Sequence, residues 1–205
     1  MNTEVTLVLL THRSKKLVLE YIENIYDKFK ILIIDNSNDI ELKNFIEKNY
    51  QNIEIFLIDN KGYGNAANYG SKLVKTEYFL ISNPDVKGID EANINKFINA
   101  AKILNNRFST LGPRFLDTNP KSHKQSNNSN NIAEMKFISG ACMFFCKKNF
   151  DNLKGFDENF FLYFEENDFC LRSYKNNKNY QINNIKVKHY VGTSVEVTND
   201  KEKKD

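Results

Sequence analysis

The stretch VTLVLLTHRSKKLVLEYIENIYDKFKILIIDNSND, residues 5–39, holds two apolar runs of buried-strand length, VTLVLL (5–10) and ILIID (31–35). Between them, residues 15–28 read as a helix. The unit then repeats. Residues 40–49 read as a second helix with Leu42, Phe45 and Ile46 on one face, and IEIFLID (53–59) as a third strand. A helix over 66–74, a strand YFLIS (78–82) and a helix over 92–104 follow, the last with Ile94, Phe97, Ile98 and Ala101 at helical spacing. Strands alternating with helices predict a parallel, right-handed α/β sheet for the first half.

The second half is less regular. The polar tract DTNPKSHKQSNNSNN (117–131) has no periodicity and reads as a long mobile loop, and MKFISGACMFFCKK (135–148) reads as a strand. FFLYFEENDFCLR (160–172) passes from an aromatic run into a short helix, and IKVKHYVG (185–192) alternates as an edge strand does. The charged tail, 196–205, reads as disordered. With 205 residues, 40% of them hydrophobic, the chain suffices for one domain over 1–195.

A net charge of +3 is too mild to imply a nucleic-acid partner, although the lysines suit an acidic ligand or an anionic membrane surface. Cys142, Cys146 and Cys170 form no CxxC pair, which argues against a disulfide framework or zinc knuckle and for small core residues in a reducing cytoplasm. No apolar run approaches the ~18 residues of a membrane span, and no signal-peptide layout opens the chain. A soluble or peripheral protein is expected.

In open α/β sheets ligands bind beyond the carboxyl ends of the strands. Those positions hold Thr11, His12 and Arg13; Asp35, Asn36 and Ser37; Asp59, Asn60 and Lys61; and Asn83, Pro84 and Asp85. Each group alone is an ordinary turn former. Together on one rim they point to a site. In SNPDV (82–86) Pro84 restricts the turn that presents Asp85, an oxygen ligand for Mg²⁺ or Mn²⁺, and an NPD β-turn is the plain structural alternative. In KGYGNAANYG (61–70) Gly62, Gly64 and Ala67 match the GxGxxG/A spacing of a dinucleotide site, but after the third strand instead of the first. Close packing of a helix on the sheet explains the same small residues.

The ordered series VTLVLLTHR, ILIIDNSND, NKGYGNAANYG, SNPDV, FISGACMFF, GFDENFFLYFEENDFCLR and HYVGTS, over 5–194, resembles the family 2 glycosyltransferases of the GT-A fold, in particular bacterial rhamnosyl- and galactofuranosyltransferase-like enzymes. The resemblance implies a mostly parallel sheet flanked by helices, with a nucleotide-binding half (about 1–115) and a smaller antiparallel acceptor half (about 132–195). It implies an inverting, metal-dependent transfer from a UDP- or dTDP-sugar to a saccharide or lipid-linked acceptor in surface polysaccharide assembly. Thr11, Arg13, Asp35, Asn36, Asn60, Gly62, Gly64, Asn68, Asn83 and Asp85 would bind the donor, with Asp35 reading the base or ribose. Asp85 and His189 would hold a divalent cation, Mn²⁺ or Mg²⁺. Glu165 and Glu166 match the family's Glu-Asp pair, making Glu166 the candidate base and Asp168 a supporting acid.

The chemistry agrees, since such a transfer needs a carboxylate to take the acceptor proton and a cation to hold the departing diphosphate. Three departures stand out: Thr-His-Arg for Asn-Tyr-Asn after the first strand, Asn-Pro-Asp at the DxD position, and Glu-Glu for Glu-Asp. Relatives continue past HYVGTS, so a minimal or truncated enzyme, or one completed by a partner, is expected. The alternatives are a catalytically inactive nucleotide- or glycan-binding module and, more distantly, a nucleotide-dependent oxidoreductase.

Overall fold

The structure, a computed structural model, describes residues 2–116, 125–126 and 128–190. Most of the tract expected as a mobile loop, the end of the HYVGTS motif and the charged tail lie outside the described residues. The four apolar runs form β1 (Val5–Thr11), β2 (Lys30–Asp35), β3 (Ile53–Leu57) and β4 (Tyr78–Ser82), side by side in the order β3-β2-β1-β4 and all parallel. Every residue of β1 and β4 is buried, as continuous apolar strands covered on both faces require.

Helices α1 (Lys15–Ile22), α2 (Ile40–Asn49), α3 (Tyr63–Leu73) and α4 (Glu91–Ile103) connect or follow these strands. Side chains fix two starts: Asp39 accepts from Leu42 N at 2.8 Å and Asp90 from Asn93 N at 2.8 Å. Helix α1 ends six residues before the expected Lys28 because tighter turns, such as Ile25 N to Ile22 O at 3.0 Å, bring Ile25 and Phe29 onto the core. On α2, Leu42 and Ile46 are buried, but Phe45 is 39% exposed and leans on Tyr50 instead of the core. One residue along a helix turns a side chain by about 100°, enough to move Phe45 off the buried stripe.

Beyond β4 the sheet becomes mixed. The remaining strands are β5 (Val86–Lys87), β6 (Phe108–Phe115), β7 (Ile132–Met135), β8 (Cys142–Cys146) and β9 (Lys178–His189), in the order β4-β8-β6-β9-β5 with β7 also on β9. β8 is antiparallel to β4 and carries Phe144, stacked on Tyr78 at 5.4 Å and Phe97 at 5.1 Å. Of the stretch expected as one strand only β8 is extended, with Met135 the last residue of β7, 136–141 outside any strand and Lys147 already opening a helix. Strand β9 is not an edge: over its 12 residues it pairs with β6 on one side and with β7 and then β5 on the other. Strand β6 escapes a sequence reading because Pro113 interrupts it, and the register with β9 shifts at Pro113/Arg114. Two short helices, α5 (Lys147–Asn152) and α6 (Glu165–Ser173), complete the fold, and all three cysteines are buried and free. Among the described residues no helix is long and apolar enough to cross a membrane.

Candidate active site

From β1 the chain adds β2 and β3 on one side and β4 on the other, so the connections diverge between β1 and β4. That is where an open α/β sheet leaves a crevice. A cleft of about 420 Å³ lies there, walled by Thr11 and His12 at the end of β1, Asn36 after β2, Asn60 and Gly62 before α3, and Asn83 to Asp85 after β4. Tyr63, His189 and the segment Phe161 to Tyr163 close it.

The SNPDV segment is a turn and something more. Val86 N donates to Asn83 O at 3.3 Å, and Asn83 N is held by Ala141 O at 3.0 Å. β5 then pairs antiparallel with the end of β9, with Val86 opposite His189, and this brings His189 Nε2 to 3.3 Å from Asp85 Oδ1. Asp85 is only 1% exposed, yet neither carboxylate oxygen receives an aligned hydrogen bond. The His189 contact has ion-pair distance but not hydrogen-bond alignment, so it leaves this carboxylate without its ordinary donors. Buried polar atoms normally have such partners, and an unpartnered carboxylate facing a cleft suits a cation. Among the described residues no group of three or more His, Cys, Asp or Glu surrounds that point.

The three cleft amides and rings are linked. His12 Nδ1 lies 2.8 Å from Asn36 Oδ1, Asn36 Nδ2 3.0 Å from Asn60 Oδ1, and Gly62 N 3.3 Å from that same oxygen. Asp35, by contrast, does not line the cleft. It is fully buried, and its carboxylate accepts from Ser37 N (2.9 Å), Ser37 Oγ (2.9 Å) and Asp39 N (3.1 Å), organising the loop that enters α2. Arg13 is exposed beside the cleft with a left-handed backbone (φ 50°), and its N–H donates to Ser37 Oγ at 3.0 Å.

Two further residues expected at the donor are placed elsewhere. Asn68 clamps α3 to the segment before α6: its Oδ1 accepts from Phe156 N at 2.9 Å, and its Nδ2 donates to Phe156 O and Glu158 Oε1, both at 2.9 Å. Gly64 packs against that segment, where a Cβ would meet Phe156 Cβ at 3.2 Å. Gly62 lines the cleft at φ 97°, but a Cβ there would lie 2.1 Å from Phe161 O, and the next amide, Tyr63 N, donates to that carbonyl at 3.0 Å. The glycine pattern thus serves close chain packing, with Gly62 also on the cleft wall.

Helix α6 opens with the acidic cluster. Its entry is strained, with Tyr163 at φ 68° and Phe164 at φ 72°, conformations that L side chains rarely adopt and that concentrate at functional sites. The aromatic run is not core: Phe161, Leu162, Tyr163 and Phe164 are all more than half exposed. Glu165 is 4% exposed, and its Oε2 has no hydrogen-bond partner. Burial pushes its pKa up to about 7, against its own backbone N–H and with help from Glu166. Burial also raises Glu166, opposed by the N–H groups of Glu166, Asn167 and Phe164. Neither glutamate lines the cleft, but Tyr63 does, and its phenol is pushed up by burial and by both glutamates. The Tyr63 hydroxyl donates to Gly140 O at 2.5 Å, and Gly140 adjoins Glu166. Asp168 is an anchor: it binds Arg172 Nε at 2.6 Å, and the guanidinium continues to Leu153 O at 2.8 Å and Gly155 O at 2.7 Å.

The Glu165 shift has a thermodynamic consequence. The folded protein ionises this carboxyl near pH 7 and the unfolded chain near 4.5, so its contribution is fully present below 4.5 and lost as pH rises to 7. The loss amounts to about 3 kcal/mol. Glu165→Gln, which stays neutral, is expected to gain about 2–3 kcal/mol relative to wild type between pH 5 and pH 8 in urea denaturation. A stability difference that does not change with pH refutes this.

Sequence reasoning left His12 and Tyr63 out of the candidate set. His12 stood in the rim triplet and was legible there, whereas nothing local marked Tyr63.

Comparison with known proteins adds the following. The family described as "Glycosyl transferase family 2" matches residues 6–161. The low-salt glycan biosynthesis hexosyltransferase Agl10 of Haloferax volcanii is 23% identical over 205 aligned positions, which cover 87% of this chain and 64% of that protein. Residues 1–349 of S. aureus TarS superpose with a TM-score of 0.70 at 17% identity, over 90% of this chain and 59% of that one. The mannosyltransferase PcManGT of Pyrobaculum calidifontis, solved with GDP-Man and Mn²⁺, gives 0.72 at 15%, over 92% and 57%. The chain therefore spans less than two thirds of the length of each, and the shared architecture is the GT-A fold.

Proposed function

The chain belongs to glycosyl transferase family 2, and from that premise we propose that it transfers a sugar from a nucleotide diphosphate donor to a saccharide or lipid-linked acceptor, with inversion at the anomeric carbon. The observation that carries this reading is the buried Asp85 carboxylate without aligned donors, facing a cleft at the divergence of β1 and β4. The donor nucleotide occupies that cleft, its base toward Thr11, His12, Asn36 and Asn60 and its diphosphate toward Asn83 and Asp85.

A divalent cation fits here. Asp85 offers two oxygens without aligned hydrogen bonds, one of them 3.3 Å from His189 Nε2, and a cation between these groups would leave further positions for diphosphate oxygens and water. PcManGT, solved with Mn²⁺, supports the choice of ion. When bound, the cation supplies positive charge against the leaving diphosphate. Glu166, at the N-terminus of α6, accepts the proton of the acceptor hydroxyl as that oxygen bonds to the anomeric carbon and the carbon–phosphate-oxygen bond breaks, releasing the nucleoside diphosphate. Glu165 is its buried neighbour in the chain, and Asp168 with Arg172 holds the helix against the segment before it.

Incubation with a panel of UDP-, dTDP- and GDP-sugars, Mn²⁺ and short saccharide or polyprenyl acceptors tests the proposal. Release of nucleoside diphosphate coupled to glycosylated product is expected with at least one donor. Binding without turnover would support the inactive binding module, and absence of any nucleotide binding would overturn the proposal for this chain.

A further inference from the structure

Tyr63, on the wall of the cleft, is bonded to two segments that flank Glu166. Its backbone N–H donates to Phe161 O at 3.0 Å, in the stretch that enters α6, and its hydroxyl donates to Gly140 O at 2.5 Å. The Glu166 side chain lies against that glycine: a Cβ built on Gly140 would meet Glu166 Cβ and Cγ at 3.6 Å and Cδ at 3.8 Å. The next carbonyl, Ala141 O, accepts from Asn83 N at 3.0 Å, at the start of the turn that presents Asp85. The chain then enters β8, where Cys142 pairs with Ser82 of β4. Gly140 and Ala141 therefore join the glutamate to the Asp85 turn, and the Tyr63 hydroxyl fixes this joint from the cleft side. A phenol suits the task. Burial and the nearby glutamates hold its proton in place, so it remains a donor across the range in which those glutamates ionise.

We infer that Tyr63 is a positioning residue: through Gly140 it sets where Glu166 stands relative to the Asp85 turn, and hence where the acceptor proton is taken relative to the departing diphosphate. The inference rests on the transfer reading above and adds to it a residue that acts through the base. Bond formation at one face of the anomeric carbon and bond breaking at the other require the two groups in register, and a misplacement of about 1 Å costs on the order of 10²-fold in rate. Phenylalanine at position 63 keeps the ring on the cleft wall and the N–H bond to Phe161 O, but leaves the Gly140 carbonyl without its hydroxyl donor. Gly140 and Glu166 are then free to shift together, while the groups that hold Asp85 and the nucleotide keep their bonds.

A double-mutant cycle on the full chain tests this, with rates measured below the melting midpoint of every variant. Tyr63→Phe is expected to lower kcat by about 10–100-fold and to leave the dissociation constant of the nucleoside diphosphate in Mn²⁺ within about twofold of wild type. In the Glu166→Gln background the same substitution should change the residual rate by less than about twofold, because a residue that acts through the base loses its effect once the base is gone. Wild-type kcat in Tyr63→Phe, a loss traced to weaker nucleotide binding, or an equal fold loss in both backgrounds overturns the inference and leaves the transfer reading intact. If the wild type transfers sugar from none of the donors, the transfer reading falls and this inference with it. A measurement on the wild type decides the matter even if Tyr63→Phe fails to fold. In crystals grown with Mn²⁺ and the nucleoside diphosphate of the donor that is turned over, the Tyr63 hydroxyl should remain on Gly140 O. A hydroxyl turned to the diphosphate would make Tyr63 a ligand contact and overturn the inference.

Discussion

Replacing Asp85 with Asn is expected to weaken Mn²⁺-dependent binding of UDP or dTDP by about 100-fold, near 3 kcal/mol, and to bring transfer close to background. The side chain is nearly isosteric, and the turn around it rests on backbone bonds from Asn83 and Val86 that the substitution leaves in place. What changes is the charge and one oxygen at the point where cation and diphosphate meet. A buried carboxylate lacking aligned donors also raises the energy of the empty protein, so the variant should melt no lower than wild type in metal-free buffer. Loss of binding with retained stability separates a ligand role from a structural one. Asp85→Asn that binds nucleotide as tightly as wild type in Mn²⁺ would remove Asp85 from the site.

Glu166→Gln is expected to lower kcat by about 10²–10⁴-fold, the range for loss of a positioned general base, with the nucleotide dissociation constant unchanged. The asymmetry follows from location: Glu166 lies outside the donor cleft, beside Gly140, at the head of α6. Because burial raises its pKa, the ionised form accumulates at higher pH than for a solvated glutamate, and kcat/KM of the wild type should climb with pH through that raised value. Glu166→Asp restores the shorter side chain of the family pattern and should keep measurable turnover. Retention of more than about a tenth of kcat in Glu166→Gln would point to another base, since general-base loss is far costlier than that.

Much of the first half was legible because its information is local. Apolar runs of strand length between amphipathic helices give β1 to β4 and α1 to α4, and Asp39 and Asp90 stand where caps belong. Strand β9 was misread as an edge because its alternation reports which faces are buried and says nothing about which strands lie beside it. Strand β6 was missed because a proline argues against a strand unless a register shift accommodates it, and that shift exists only in the pairing with β9.

The site divides along the same line. Residue type and position singled out Asp85 and the Glu165–Glu166 pair, since carboxylates after strands and at a helix start are visible one position at a time, and the resemblance of motif order to the family added His189. Their states are not. That Asp85 is buried beside His189 depends on β5 pairing with the far end of β9, more than a hundred positions away in the chain. That Asp35, Asn68 and Asp168 serve as structural anchors, while His12, Asn36 and Asn60 form a linked row on the cleft wall, depends on which donors and acceptors the fold brings within reach. The sequence by itself determined the alternating α/β plan, the rim of polar residues and the family, because periodicity, turn chemistry and motif order are properties of neighbouring residues. Only the tertiary structure decided which of those polar atoms remain unpaired and face the cleft, because hydrogen-bond satisfaction and desolvation are set by contacts between segments remote in the chain.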